Sequence, residues 1–332
     1  MLQAVLEQHY ARVGITLVND TDELDRLIAK QPDLIFLGIK QLPAGKKTAT
    51  DQAQNVWVAA YLDDAGINYT GSTADAISLD FHKPLAKQVV KTAGLQTAEH
   101  FMAAAGQFAE HELPFGYPLF IKPPHTGGGK GIGADSVVRD FVGFQQKVAM
   151  IDETFHSKAL VETYLSGREF SVAILENAGS SELTAMPIEL ITEQNSMGDR
   201  ILGQKVKAAD TEHTIAVSDE IMKDKVSNLA KSVFRALGAR DYGRIDIRLD
   251  EHGVPHFLEA NLIPGVAYHE FTSYFTSACW INEGMDYEAM VLGIVCMALQ
   301  RNVDSSDDIP ELTQNLIPSL YPLLPLPLLE TV

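Results

Sequence analysis

Cysteine is nearly absent from this chain of 332 residues, with only Cys279 and Cys296. Two thiols cannot build a disulfide framework or a four-ligand zinc site, and a reducing, cytoplasmic setting is expected. Positive charge is scarce as well: 26 Lys and Arg stand against 44 Asp and Glu, a formal net charge of −18. Such a surface repels a phosphodiester backbone, which argues against nonspecific nucleic-acid binding. No run approaches the ~20 apolar residues of a membrane span. The nearest, Pro318 to Leu329, is broken by Pro322, Pro325 and Pro327 and reads as an extended tail on the domain surface. Met1 to Tyr10 has Glu7, Gln8 and His9 among its apolar positions, unlike a signal peptide. At 21% charged and 46% hydrophobic residues the chain is too apolar for disorder and holds material for a sizeable core. Its length predicts more than one folding unit.

What is present alternates between helix and strand patterns. Leu2 to Tyr10 has helical spacing, Gly14 stops it, and Ile15 to Val18 reads as a short strand. Thr21 with Glu23 marks a helix start, carried on by Leu24 to Ala29. Asp33 to Gly38 is an apolar run of buried-strand type, Gln54 to Ala65 reads as a helix, and Tyr69-Thr70-Gly71 as a turn. Pro84 to Ala93 predicts a helix closed by Gly94, and Tyr117 to Lys122 a strand feeding a glycine-rich loop. Ala159 to Tyr164 and Glu169 to Ile174 read as strands separated by Ser166-Gly167. An amphipathic helix over Asp219 to Leu237, strands over Gly243 to Leu249 and Pro255 to Asn261, and a helix over Met285 to Arg301 follow. There is no internal repeat.

The chemistry concentrates in three segments. In Arg244-Ile-Asp246-Ile-Arg248-Leu the polar residues share one strand face and the apolar residues the other. A hairpin centred on His252-Gly253 would oppose Asp246 to Glu259 and Arg244 to Asn261. Opposed carboxylates repel, and two of them with an Asn amide oxygen form a donor set that suits magnesium. The alternative is a solvated face whose acids pair with Arg244 and Arg248. The second segment, Lys122 to Gly131, holds Gly127, Gly128, Gly129 and Gly131 between lysines. Its backbone amides can approach a phosphate, although an ordinary flexible hairpin tip has the same composition. The third, Val161 to Val172, runs from strand through turn to strand; it can offer backbone groups to a heterocycle and Glu169 to sugar hydroxyls, or simply connect two units.

In their order and spacing these segments resemble the ATP-grasp superfamily, and most of all the D-alanine:D-alanine ligases. The resemblance covers roughly residues 55 to 301 and rests on Gly71-Ser72 through Lys83, Phe120-Ile-Lys122-Pro, Glu162-x-x-Leu165-Ser-Gly, Gly243-Arg244-Ile-Asp246, and Leu258-Glu259-Ala-Asn261 with Pro264-Gly265. It implies an α/β fold, α+β in the C-terminal part, with ATP between a central unit (73–161) and a C-terminal unit (162–310). A pre-ATP-grasp unit (1–72) would precede them and a Pro/Leu-rich tail (311–332) follow. By position, Lys83 and Lys122 resemble the phosphate lysines, with Gly127, Gly128 and Gly129 in the covering loop. Glu162, Thr163 and Leu165 resemble the adenine hinge and Glu169 the ribose ligand. Lys205 sits where the family places a mobile-loop lysine near the terminal phosphate. Asp246, Glu259 and Asn261 correspond to the ligands of magnesium, for which manganese would substitute. Arg244 and the Gly265 amide correspond to groups that stabilise a tetrahedral intermediate.

The activity implied is ATP-dependent joining of a small-molecule carboxylate to an amine through an acyl phosphate, with a homodimer and no membrane partner among the expectations. Departures fall on the substrate side. Met1 stands already in what reads as the helix after the family's first strand, so that strand is missing or replaced. The family's His-Gly segment is unrecognisable in Leu37 to Asp51, its phosphate-loop serine is Gly128, and its mobile-loop tyrosine is Val206. Its Ser-Leu pair is Glu270-Phe271, and an acid at 270 would repel a carboxylate and attract an ammonium. A ligase of specialised metabolism and a non-catalytic nucleotide-binding protein are the competing readings. His125, His269, Tyr268, Cys279 and Lys46-Lys47 read as structural or solvated.

Overall fold

The computed structural model describes residues 1–44, 55–177, 180–266, 273–304 and 329–331. The N-terminal part contains α1 (Leu2–Leu6), β1 (Val13–Ile15), α2 (Thr21–Ile28), β2 (Leu34–Phe36), β3 (Gln41–Pro43), β4 (Asn55–Trp57) and α3 (Val58–Asp64). The cap of α2 is Asp20 rather than Thr21, because its carboxylate accepts the Glu23 amide at 2.9 Å. The predicted strand at 15–18 starts earlier and ends at Ile15; Leu17 is 85% exposed and has no packing to hold it extended. The predicted helix over 54–65 begins only at Val58, since Asn55–Trp57 pair antiparallel with Gln41–Pro43; Gln54 and Lys46-Lys47 lie outside the described residues.

Two helices, α4 (Ala74–Phe81) and α5 (Lys83–Thr92), lead into the centre of the chain. There β5 (His100–Ala103), β6 (Leu119–Lys122), β7 (Val137–Val138) and β8 (Ala159–Thr163) form a four-stranded antiparallel sheet in the order β5-β8-β6-β7. Against it packs α6 (Phe141–Phe155), capped by Asp140 and burying Phe144, Val148 and Ile151 at helical spacing.

A second sheet follows from β9 (Glu169–Glu176), β10 (Leu183–Ile191), β11 (His213–Ala216), β12 (Tyr242–Leu249) and β13 (Pro255–Asn261), ordered β11-β10-β9-β12-β13 and antiparallel throughout. Between β10 and β11 lies the short helix α7 (Gln204–Ala209). The strands alternate with period two. Val172 and Ile174 of β9 and Ile245 and Ile247 of β12 belong to one core with Val226, Ala230 and Val233 of α8 (Glu220–Ala236). Ala173 and Leu175 turn the other way, towards Phe275 and Cys279 of α9 (Tyr274–Glu283) and Ile294 of α10 (Tyr287–Asp304). Cys279 is fully buried and its thiol is pushed up to about 12 by burial, as for a small apolar residue. The last described strand, β14 (Leu329–Thr331), runs parallel between β1 and β2.

Candidate active site

A cleft of about 790 Å³, open mouth included, lies where the two sheets meet. Its lining includes Lys83, Lys122, Gly129, Glu162, Thr163, Leu165, Glu169, Asp246 and Glu259, all singled out from the sequence. It also includes Arg248, expected only as a partner of the acids on a solvated face, and Lys207, which was not singled out.

On the β12–β13 face, Arg244 pairs with Asn261 and Asp246 with Glu259, the register implied by a turn at His252-Gly253. A bulge then shifts the ladder, so that Arg248 opposes His256 and Leu258 also reaches the cleft. Asp246 accepts from Ser171 Oγ at 2.7 Å, from Arg244 through Nε and Nη2 at 3.0 Å each, and from Asn261 Nδ2 at 3.3 Å. Glu259 lies 3.4 Å from Lys83 Nζ. Burial raises the affinity of the Glu259 carboxyl for its proton, but Lys83, Lys122, Lys207 and Arg244 outweigh it and bring its pKa to about 2. Asp246 is thus paired along its own strand and Glu259 with a lysine of α5, and the face is not solvated: Asp246 and Arg248 are buried, and Arg248 pairs with Glu169 of β9 rather than with an acid of the hairpin. Two carboxylates and an amide oxygen on one face form a hard oxygen donor set of the kind that would suit magnesium. Among the described residues no group of three His, Cys, Asp or Glu forms a closed metal cage.

Behind the cleft, Glu162 is shared by two buried lysines, with Lys87 Nζ at 2.6 Å and Lys122 Nζ at 2.8 Å. Lys87 also donates to Thr97 Oγ1 at 3.1 Å and to the Phe257 carbonyl at 3.3 Å. Burial alone would raise the Glu162 pKa; Lys122 and Lys87 override it and hold it at about 2. Lys87, at 0% exposure, is brought below the usual lysine range by burial that the shared carboxylate does not offset. Burial acts the same way on Lys122, but Glu162 and Glu259 together push it above that range. Lys87 was missed in the sequence, although it lies one helical turn from Lys83 on the same face of α5.

Across the mouth, Lys83 Nζ donates to the Thr126 carbonyl in the glycine loop. Gly127 and Gly128 are exposed at the loop tip and do not line the cleft, whereas Gly129 does. Gly129 has φ +71, and a Cβ there would lie 3.0 Å from the Gln204 amide nitrogen, so its lack of a side chain lets the loop meet the start of α7. Lys205 is exposed on α7 and outside the cleft; Lys207 lies inside it. The ring of Tyr274 sits beneath both cations, 5.2 Å from the Arg244 guanidinium and 5.9 Å from Lys207 Nζ.

At the hinge, the Thr163 amide donates to the Glu99 carbonyl at 3.0 Å and is therefore engaged within the protein. Glu169 pairs with Arg248 Nη1 at 2.9 Å. Burial raises the Glu169 pKa, opposed by Arg248 and Lys207 and assisted by Asp246 and Glu259. Arg248 also donates to the Arg200 carbonyl at 2.7 Å and lies 5.6 Å from the Tyr164 ring. Gly265 is exposed, and its carbonyl accepts from Ser273 Oγ. Glu270, Tyr268 and His269 lie outside the described residues. His125 packs its ring 4.8 Å from His82 at the root of the glycine loop and does not line the cleft.

Residues 84–296 match the family model described as D-ala D-ala ligase C-terminus. An uncharacterized protein of Sinorhizobium fredii is 30% identical over 251 residues, spanning 74% of this chain and 70% of that protein. A D-alanine--D-alanine ligase of Marinobacter nauticus is also 30% identical over 251 residues, covering 74% of this chain and 71% of its own length. Among solved structures, D-alanine--D-alanine ligase from Bacillus anthracis complexed with ATP superposes with a TM-score of 0.63 at 18% identity, over 86% of this chain and 85% of that one. The VanG D-Ala:D-Ser ligase of Enterococcus faecalis gives 0.58 at 21% identity, over 80% and 73%. The fold is therefore ATP-grasp, and the chain belongs to the D-alanine:D-alanine ligase family of ATP-dependent, ADP-forming ligases that make C–N bonds.

Proposed function

We propose that this cleft binds ATP between the central and C-terminal units and joins a small carboxylate to an amine through an acyl phosphate, with substrate contacts that differ from those of a D-alanine:D-alanine ligase. The observation that carries the reading is the opposed Asp246–Glu259 pair in a cleft that also holds Lys83, Lys122 and Lys207; Arg244 and Asn261 share its strand face without lining the cleft. A carboxylate is a poor electrophile, and both its phosphorylation and the later displacement of phosphate build negative charge. Lys83 and Lys122 neutralise the phosphates, and Lys207 takes the terminal-phosphate role expected of Lys205, because it is the lysine of α7 that reaches the cleft. Asp246, Glu259 and the Asn261 amide oxygen would hold magnesium, or manganese, which would supply positive charge against that of the phosphoryl group in transfer.

Arg244 and the Gly265 amide then stabilise the oxyanion formed when the amine attacks, a kind of contact whose loss costs ~10²–10³ in rate. Gly129 and the rest of the glycine loop, meeting α7 across the mouth, exclude water that would hydrolyse the acyl phosphate. Glu169 receives the ribose, with Arg248 fixing the position of its carboxylate.

The test is phosphate release from ATP with magnesium over a panel of carboxylates and amines that includes D-alanine. Release that requires one of each supports a ligase. Glu259→Gln should abolish it, and nucleotide binding without release under any pairing would leave a non-catalytic binding protein as the answer.

A further inference from the structure

The ligase reading leaves the amine without a recognised contact, because Glu270 lies outside the described residues. An acid in the described part answers to that need. Glu212 lies just beyond α7, after Asp210 and Thr211, and its Oε1 accepts from the Tyr274 hydroxyl. Its Oε2 is shielded from solvent and has no hydrogen-bond partner among the described residues. Neither nearby cation satisfies it. Arg244 is committed to Asp246 through two bonds, Lys207 lies over the Tyr274 ring, and among the described residues neither forms an ion pair with Glu212.

A carboxylate with one oxygen fixed by a phenol and the other shielded and unpaired is suited to an incoming cation that can donate a hydrogen bond. The Tyr274 hydroxyl stays protonated, because burial and the adjoining Glu212 raise its pKa, so it remains a donor and fixes the carboxylate's direction. Glu212 and Tyr274 do not line the cleft themselves, but the Tyr274 ring lies 5.9 Å from Lys207 Nζ, which does, and 5.2 Å from the Arg244 guanidinium, so the acid stands behind that wall of the cleft.

We propose that Glu212, oriented by Tyr274, is the subsite for the ammonium group of the amine substrate. The inference rests on the ligase reading of the same cleft. It makes the acceptor a primary amine that arrives protonated, whether or not it also carries a carboxylate; one ammonium proton passes to the Glu212 carboxylate before the freed nitrogen lone pair attacks the acyl carbon and phosphate leaves.

Hydroxylamine separates this claim from the reading beneath it. It is uncharged at neutral pH and captures acyl phosphates as hydroxamates, so it needs no ammonium site. Wild type and Glu212→Gln are compared with ATP and magnesium, D-alanine and the rest of the carboxylate panel as acyl donors, and either hydroxylamine or a protonated amine, D-alanine or ethanolamine, as nucleophile. The expected result is a tenfold to hundredfold rise in the KM for the protonated amine, as for loss of one charged hydrogen bond, and a matching fall in the ratio of amine-dependent to hydroxylamine-dependent turnover. Glu212→Asp should recover part of it, and Tyr274→Phe should give a smaller change of the same sign. An unchanged ratio in Glu212→Gln overturns the subsite, as does a rise confined to the KM for ATP, which would make Glu212 a fastening for α7. No hydroxamate from wild type with any carboxylate overturns the ligase reading and the subsite with it.

Discussion

Replacing Glu162 by Gln removes the one carboxylate that two buried lysines share. The variant keeps the shape of the side chain and leaves Lys87 and Lys122 facing each other with no counter-charge between them. Breaking a buried ion pair by deleting one partner costs about 3–5 kcal/mol, a large part of the roughly 5–15 kcal/mol that holds a domain together. The pH dependence gives a second measure of the same cluster. A folded-state pKa of about 2 against an ordinary 4.5 corresponds to a contribution of about 3 kcal/mol. Because the folded value is the lower one, that contribution is complete above about pH 4.5 and disappears as pH falls towards 2. Urea unfolding followed by tryptophan fluorescence at pH 7 should show Glu162→Gln destabilised by about 3 kcal/mol or more, with a shallower loss of stability below pH 4.5 than wild type. Lys87→Met in the same background should restore part of the loss, since a well-packed apolar residue replaces an unpaired buried cation. A loss below about 1 kcal/mol in Glu162→Gln, or a double variant no more stable than the single one, would refute the claim that this carboxylate carries the cluster.

Two further outcomes concern the mouth of the cleft. Lys207→Met should lower kcat with ATP by about a hundredfold while Lys205→Met stays within about twofold, as expected for a lysine in the cleft and one on the surface; steady-state phosphate release decides, and equal effects would reject Lys207 as the phosphate lysine. Gly129→Ala puts a methyl group 3.0 Å from the Gln204 nitrogen at a positive φ, so the KM for ATP should rise several-fold and limited proteolysis near 203–209 should quicken. Unaltered proteolysis would show that the loop does not steady α7.

The strand pair was legible because a two-residue period and one turn centre determine which side chains oppose each other. Asp246 and Glu259 follow from arithmetic alone. The bulge after Asp246 was not legible, since an extra residue on one strand leaves no trace in the alternation of apolar and polar residues. The α8 stripe at Val226, Ala230 and Val233 was readable from a different period, the three-and-four spacing of an amphipathic helix. Lys207 was not, because α7 is six residues long and too short for a periodic pattern to say which lysine turns inward. Tyr274 and Glu212 are 62 positions apart and meet only through the packing of α9 beside β11, so neither composition nor spacing announces them. Lys87 gave a weak signal as a second lysine on one helix face, and nothing in the sequence distinguishes a buried pair of that kind from a solvated one.

Arg244 and Asp246 satisfy each other through two 3.0 Å bonds along a single strand. Under the proposed function, a cation drawn to the oxygens of Asp246 would compete with Arg244 for them, so binding at one residue would loosen the guanidinium two places away and couple the two events.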